Sequence, residues 1–141
     1  MREIGKANAI GYLAAALVML CLDALWLSLT ANILYRPLIG DLMLDGFRPA
    51  PAIAFYVLYL CAIVIFAIRP AFSTRRWTTA MGYGALFGLF AYGTYDLTNQ
   101  ATLKTWPTAL SLADMTWGCV LTAISATAGY LTASKLTNID R

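Results

Sequence analysis

Four long apolar segments follow one another along the chain, at residues 9–30, 52–68, 78–103 and 110–133, and most charged residues lie between them. A transmembrane helix needs about 20 mainly apolar residues to cross a hydrocarbon core of about 30 Å, and these segments have about that length. None of them alternates with the period of two that a membrane β-strand requires. The pattern predicts an all-α polytopic membrane protein, a bundle of four transmembrane helices.

Prolines mark the predicted ends of these helices. Pro49 stands where the second helix would begin, Pro70 would close it, and Pro107 interrupts the chain between the third and the fourth. A proline inside a helix lacks the N–H of a regular turn, so breaks are expected at these positions. Because no linker or low-complexity stretch divides the chain, residues 1–141 are predicted to form a single domain.

Basic residues in the short connections predict the orientation. One side of the bundle would carry Arg2, Lys6, Arg69, Arg75, Arg76, Lys135 and Arg141. The other side would carry only Arg36, Arg48 and Lys104. Since cytoplasmic loops are rich in Lys and Arg, both termini should be cytoplasmic. The largest external element is then the loop at residues 31–48, whose stretch 35–41 could lie at the interface or fold over the bundle.

The composition agrees with a membrane protein and narrows the chemistry. Of 141 residues, 60% are hydrophobic and 12% charged, with a mean hydropathy of +0.68. Soluble domains carry roughly twice that charged fraction, so membrane lipids are the expected surroundings. A net charge of +3 is too small for a nucleic-acid surface. The chain has no histidine, which disfavours zinc hydrolases and His-ligated haem or di-iron centres; no metal site is predicted, and the cofactor stays open.

The three cysteines show no metal-binding or disulfide pattern. Cys21, Cys61 and Cys119 each fall in an apolar stretch, without CxxC spacing. Free cysteine behaves as a small hydrophobic residue and is among the most buried residue types. The sequence therefore predicts three small buried side chains.

Three of the seven acidic residues fall inside predicted spans: Asp23, Asp96 and Asp114. At a rise of 1.5 Å per residue, Asp23 and Asp96 lie roughly 20–27 Å from the cytoplasmic boundary. Asp114 enters from the outside, a few residues into the fourth helix. A charged residue in mid-membrane costs about 2.5–3.5 kcal/mol on insertion scales, so such residues usually face the interior and mark functional places. The sequence predicts one polar layer in the outer half of the bundle.

Further candidate residues surround this layer. On the third helix, Tyr92, Tyr95 and Asn99 share a face with Asp96 at 100° per residue. The other helices would add Tyr56, Tyr59, Trp26 and Trp117, the two tryptophans each following an aspartate by three positions. Together these residues could line a ligand- or proton-binding pocket that opens toward the outside.

Structural interpretations stay open beside this functional one. Gly84 and Gly88 form a GxxxG pattern, which is typical of close helix packing. Ser111 and Asp114 have the S-x-x-D spacing of a capping box, and the helix dipole would favour an acid in the first turn.

Asp96 and the aromatic residues have structural explanations as well. With Asn99, Asp96 could form interhelical hydrogen bonds to Thr30 or Asn32. Tyrosine and tryptophan belts occur at membrane interfaces without any ligand.

Four stretches resemble one bacterial family of small four-helix inner-membrane proteins, a predicted membrane domain of unknown function. They lie at residues 22–27, 54–59, 92–99 and 114–118, and the most specific of them reads YGTYDLTN. The resemblance implies four helices, a bacterial inner membrane and an association with envelope lipid modification. It supplies no reaction.

Three functions follow as hypotheses. The first is binding or transport of a small molecule, ion or lipid, with Asp23 and Asp96 as the main proton or cation carriers, because clustered carboxylates in a low dielectric cannot all stay ionised. Four helices are few for alternating access, so transport would require a homodimer. The second is a lipid-modifying enzyme or its accessory subunit, with Asp96 as general acid/base oriented by Tyr95 or Asn99. The third is a structural or regulatory membrane partner without a ligand.

Overall fold

The computed structural model describes residues 2–137 and 139, which form four helices and their connections. Arg141, one of the predicted cytoplasmic basic residues, lies outside this described part. The first helix, α1, is α-helical over Arg2–Thr30 and continues without interruption through turns at Ala31–Tyr35, Arg36–Ile39 and Gly40–Leu42. The second, α2, consists of Pro49–Ile63, Val64–Ile68 and Arg69–Thr74; α3 is Trp77–Thr102 and α4 is Thr108–Leu136.

Three of these helices are long and apolar enough to cross a membrane, at Glu3–Leu42, Pro49–Thr74 and Thr108–Leu136. The prediction of an all-α membrane protein is confirmed, and no strand occurs among the described residues. α3 has 26 residues but is not among these candidates. Its outer turns contain Asp96, Asn99 and Gln100, which lower its hydropathy. The fourth crossing therefore stays a prediction.

Two prolines lie inside helices rather than at their ends. α2 does not stop at Pro70, as the sequence predicts, but continues to Thr74, and α1 continues through Pro37. A π-helical turn directly precedes the Arg-Pro pair at each of these two prolines, at Ala31–Tyr35 before Pro37 and at Val64–Ile68 before Pro70. Proline clashes with the carbonyl four residues before it, and the wider turn displaces that carbonyl. The expected external loop at residues 31–48 is accordingly helical up to Leu42.

α4 is the central helix and packs against both α1 and α3. A Cβ atom on Gly88 would overlap the carbonyl oxygen of Gly118, and one on Gly84 would lie 2.8 Å from the Thr122 carbonyl oxygen. The two backbones approach as closely as glycine allows, which confirms the packing interpretation of the GxxxG pattern.

α2 packs differently along its length. Its C-terminal part, from Val64 onward, packs against α3, whereas its N-terminal part, Pro49–Ile63, packs mainly against α1. The backbones of α2 and α3 therefore diverge toward the N-terminal end of α2, which is predicted to be the outer end.

The prediction of buried cysteines is wrong. Cys21 and Cys61 are exposed on the helix surface, and Cys119 is partly exposed. In a membrane helix, lipid rather than a protein core covers apolar side chains, so an apolar run does not indicate burial within the protein.

Candidate functional site

Asp23 is buried where α1, α2 and α4 meet, and only 8% of its surface is exposed. One carboxylate oxygen accepts a hydrogen bond from the Tyr56 hydroxyl. The other accepts one from the Trp117 indole N–H at 3.2 Å. The Asp23 side chain thus has two hydrogen-bond donors from two other helices, an arrangement that lowers the cost of burying a polar group.

Asp114 is buried to a similar degree, with 5% exposed, and its donor comes from α1. The Tyr35 hydroxyl donates to its carboxylate and accepts a hydrogen bond from the Trp26 indole N–H at 3.0 Å. The Trp26 and Trp117 rings stack with centroids 4.5 Å apart and an interplanar angle of 8°. Asp23 and Asp114 therefore belong to one network, joined by the stacked indoles; we call it the Asp23–Asp114 network.

The Asp-x-x-Trp spacing explains why this network closes. α1 and α4 are antiparallel, with Gly11 against Gly129 near their inner ends. In antiparallel helices, the same spacing runs in opposite directions, so each aspartate lies at the level of the other helix's tryptophan. This places Asp23 beside Trp117 and Trp26 near Asp114.

Asp96 lies toward the same end of the bundle, between α3 and α4, but its surroundings differ. It is 0% exposed, and neither carboxylate oxygen has a hydrogen-bond partner among the residues that the structure describes. Gly93 faces Met115 at the same interface, so one turn further out Asp96 lies at the level of Ser111.

Trp106 covers this end of the α3–α4 interface. Its indole N–H donates to the Ser111 hydroxyl at 3.0 Å. Its ring packs edge-on against Tyr95 at a centroid distance of 5.6 Å. Trp106 thus bridges the end of α3 and the start of α4.

Two structural interpretations of the acids are wrong. α4 begins at Thr108, so Asp114 lies beyond its first turn and Ser111 forms no capping box with it. Thr30 donates to the Trp26 carbonyl oxygen at 2.7 Å, and Asn32 is exposed, so neither pairs with Asp96. Hydrogen bonds within a helix satisfy Thr hydroxyls locally, and this removes Thr30 as an interhelical partner.

The remaining candidates do not converge on one point. Tyr59 shares a 2.8 Å hydrogen bond with Thr122, and its ring lies 6.5 Å from that of Tyr92. Tyr95 is 56% exposed, and Asn99 is partly exposed. Among the described residues, no group of three or more acidic or cysteine side chains could hold a metal ion.

An aromatic groove opens on the side of the bundle where α2 and α3 diverge. It has a volume of about 440 Å³ and is lined by Phe55, Tyr59, Ala91, Tyr92 and Tyr95. Ligand pockets have volumes of about 300–1,000 Å³. We call this feature the aromatic groove.

The aromatic groove adjoins the buried polar layer. The Phe55 ring, on the groove wall, contacts the Tyr56 ring at a centroid distance of 5.3 Å. Tyr56 in turn donates to Asp23. The Phe55 ring therefore lies between the groove and Tyr56, which belongs to the Asp23–Asp114 network.

Four residues of the site are not among the sequence candidates: Tyr35, Trp106, Ser111 and Thr122. In the sequence, Trp106 lies in the connection before the fourth predicted helix and Ser111 lies near the start of that helix. Nothing in their spacing predicts a hydrogen bond between them. Tyr35 lies in a stretch that reads as a loop because of Pro37. Tyr35 would have been a candidate only if the first helix had been predicted to continue through Arg36-Pro37.

A family model described as "Predicted membrane protein (DUF2177)" matches residues 8–131. No curated protein and no solved structure matches the chain.

Proposed function

Because this chain belongs to the DUF2177 family of predicted membrane proteins, we propose that it binds a phospholipid in the outer half of the bundle. The acyl chain occupies the aromatic groove, and the phosphate lies at its outer mouth. The observation that carries this proposal is the divergence of α2 and α3, which opens an aromatic-lined cleft sideways toward the bilayer.

The lining suits a hydrocarbon chain. Phe55 and Tyr95 are 44% and 56% exposed, and Tyr59 and Tyr92 form the floor beside Ala91. Aromatic rings present large apolar faces, and tyrosine adds a polar edge that suits the region near the headgroups. A groove open to the bilayer can admit a chain without passage through water.

The outer mouth of the aromatic groove is basic. Arg48 directly precedes α2, and Lys104 lies two residues after the end of α3. Both therefore stand near the helix ends that flank the mouth, and both are exposed. Basic side chains at the end of a membrane helix extend toward the headgroup region. Their charge complements the phosphate of a phospholipid.

The Asp23–Asp114 network favours a structural role for those two acids. Their donors are already supplied by Tyr35, Tyr56 and Trp117. A ligand competing for these carboxylates would have to replace existing hydrogen bonds. We therefore assign lipid binding to the aromatic groove and helix registration to the network.

The remaining parts of the proposal concern location and assembly. We propose a bacterial inner-membrane protein with four crossings and both termini in the cytoplasm, based on the distribution of Lys and Arg. A phospholipid site also suits a lipid-modifying enzyme or its accessory subunit. The homodimer required for transport is tested by native mass spectrometry of the detergent-solubilised protein, in which a monomer alone would remove the transport hypothesis.

Photo-crosslinking tests the lipid site. The protein is placed in vesicles of phosphatidylethanolamine and phosphatidylglycerol that contain a phosphatidylglycerol with a diazirine in the upper part of its acyl chain. Labelling mapped by peptide mass spectrometry should concentrate on the groove residues Phe55, Tyr92 and Tyr95. Ala91→Leu fills the groove and should reduce this labelling about tenfold, as expected from a loss of about 1.4 kcal/mol in affinity.

Ala101→Leu is the matched control, because Ala101 is exposed on the same helix outside the aromatic groove. It should label like the wild type. Equal labelling along all lipid-facing helix surfaces, or an Ala91→Leu variant that labels like Ala101→Leu, would contradict a specific site.

A further inference from the structure

The three buried aspartates differ in the number of hydrogen-bond donors around them. Asp23 has two donors and Asp114 has one. Asp96 has none, although it is the most completely buried of the three. A carboxylate without donors in a low-dielectric site is far more costly than one that accepts hydrogen bonds.

Among residues 2–137 and 139, no opposite charge compensates Asp96. Within the described part of the chain no Lys or Arg pairs with it, and Lys104, in the connection after α3, is exposed. The titratable neighbours are Asp114 on α4, Tyr35 of α1, which donates to Asp114, and Tyr95 on α3 itself. The only charge among these neighbours is a second carboxylate, which opposes a second negative charge nearby.

We propose that Asp96 is a proton-binding site, whose carboxyl group carries a proton at neutral pH and exchanges it with the outer aqueous face. Protonation removes the charge that the surroundings leave uncompensated. The site is separate from the aromatic groove, so it stands whether or not a lipid binds there.

The route to the outside leads past Trp106. Asp96 lies six residues before the end of α3, which corresponds to about 9 Å along the helix axis. The connection after α3 is short and exposed at Leu103, Lys104 and Thr105. The hydrogen bond from Trp106 to Ser111 closes this end of the α3–α4 interface, so opening of that contact admits water to the carboxyl group.

Labelling with N,N′-dicyclohexylcarbodiimide tests the proposal, since this apolar reagent reacts with protonated carboxyl groups. The wild type in phosphatidylethanolamine/phosphatidylglycerol vesicles at neutral pH should be labelled at Asp96 and not at Asp23 or Asp114. Trp106→Ala removes one hydrogen bond from the closed state and should raise the labelling rate about fivefold.

Two variants serve as controls. Asp96→Asn should abolish the label, and Trp77→Ala, which removes an exposed tryptophan at the other end of α3, should leave the rate unchanged. Labelling of Asp23 or Asp114 in place of Asp96 would overturn the proposal. So would the absence of any label at Asp96 in both the wild type and Trp106→Ala, because the second variant removes the barrier to access.

Discussion

Two interfaces of α4 hold buried carboxyl groups toward the same end of the bundle. The interface with α1 supplies hydrogen-bond donors to them, and within the described residues the interface with α3 does not. Toward α1, Trp26 and Trp117 fill the outer half of the interface, and their indole N–H groups enter the Asp23–Asp114 network. Toward α3, the interface is built on Gly84, Gly88 and Gly93, which have no side chain to donate. The packing residues of an interface thus determine whether an acid within it finds hydrogen-bond donors.

This contrast shows that burial alone does not identify a functional residue. A charged side chain inside a membrane is costly, so by position alone each of the three aspartates is an equally good candidate for a functional site. Among the described residues, their partners divide them into two acids that accept hydrogen bonds from other helices and one acid without a donor. The predictions that follow break or sharpen this division, from the largest expected effect to the smallest.

Gly88→Leu should have the largest effect, because it separates α3 from α4 and removes the interface that isolates Asp96. The new side chain would overlap the Gly118 backbone, and overpacking of this severity costs about 3 kcal/mol. Thermal unfolding and the yield of monodisperse protein measure it. Gly82→Leu is the control, since nothing lies within 4 Å of a Cβ at Gly82; equal stability of the two variants would refute the close approach.

Asp23→Asn tests the interface in which the acid has hydrogen-bond donors. It replaces an ionic acceptor for Tyr56 and Trp117 with a neutral one and should cost about 1–2 kcal/mol. A lowered midpoint of thermal unfolding in detergent would show this loss. The control is Asp45→Asn, an exposed acid in the connection between α1 and α2. Identical midpoints for both variants would mean that the network does not stabilise the bundle.

Tyr35→Phe removes the hydroxyl that joins Trp26 to Asp114. The expected destabilisation is about 0.6–1 kcal/mol, typical of one interhelical hydrogen bond in a membrane protein. Tryptophan fluorescence should also change, because the Trp26 N–H loses its acceptor. Tyr83→Phe is matched to it, since Tyr83 is 50% exposed; a shift of the same size in both would argue against the connection through Tyr35.

Asp96→Asn should have the smallest effect on stability. Asparagine has the size of a protonated aspartate and is likewise neutral, so unfolding should change by less than about 0.6 kcal/mol, the average interhelical polar contribution. Thermal unfolding beside Asp23→Asn measures the difference directly. A destabilisation as large as that of Asp23→Asn would show that Asp96 is charged and paired.

Much of the fold follows from the sequence, because hydropathy and glycine spacing act locally. The apolar run at residues 110–133 predicts the extent of α4 to within a few residues, and the GxxxG pattern predicts its contact with α3. The depth of Asp23, Asp96 and Asp114 follows from the rise of a helix alone. The sequence alone therefore predicts that these three aspartates lie toward the same end of the bundle.

The partners of these residues are not readable in this way. In a regular α-helix, nine positions place Trp26 and Tyr35 on opposite faces, and the π-helical turn at Ala31–Tyr35 changes that relation. Pro70 predicts that the second helix ends there, but the π-helical turn at Val64–Ile68 accommodates the proline and the helix continues. The lack of donors around Asp96 depends on the packing of two helices, which no spacing within one helix can express.

Infrared difference spectroscopy of the wild type against the three Asp→Asn variants measures the charge of each carboxyl group directly. The account predicts that Asp96→Asn removes the band of a protonated carboxyl group, whereas Asp23→Asn and Asp114→Asn leave that band in place. A carboxylate band lost in Asp96→Asn would contradict the central claim that hydrogen-bond donors, rather than depth in the membrane, separate these acids.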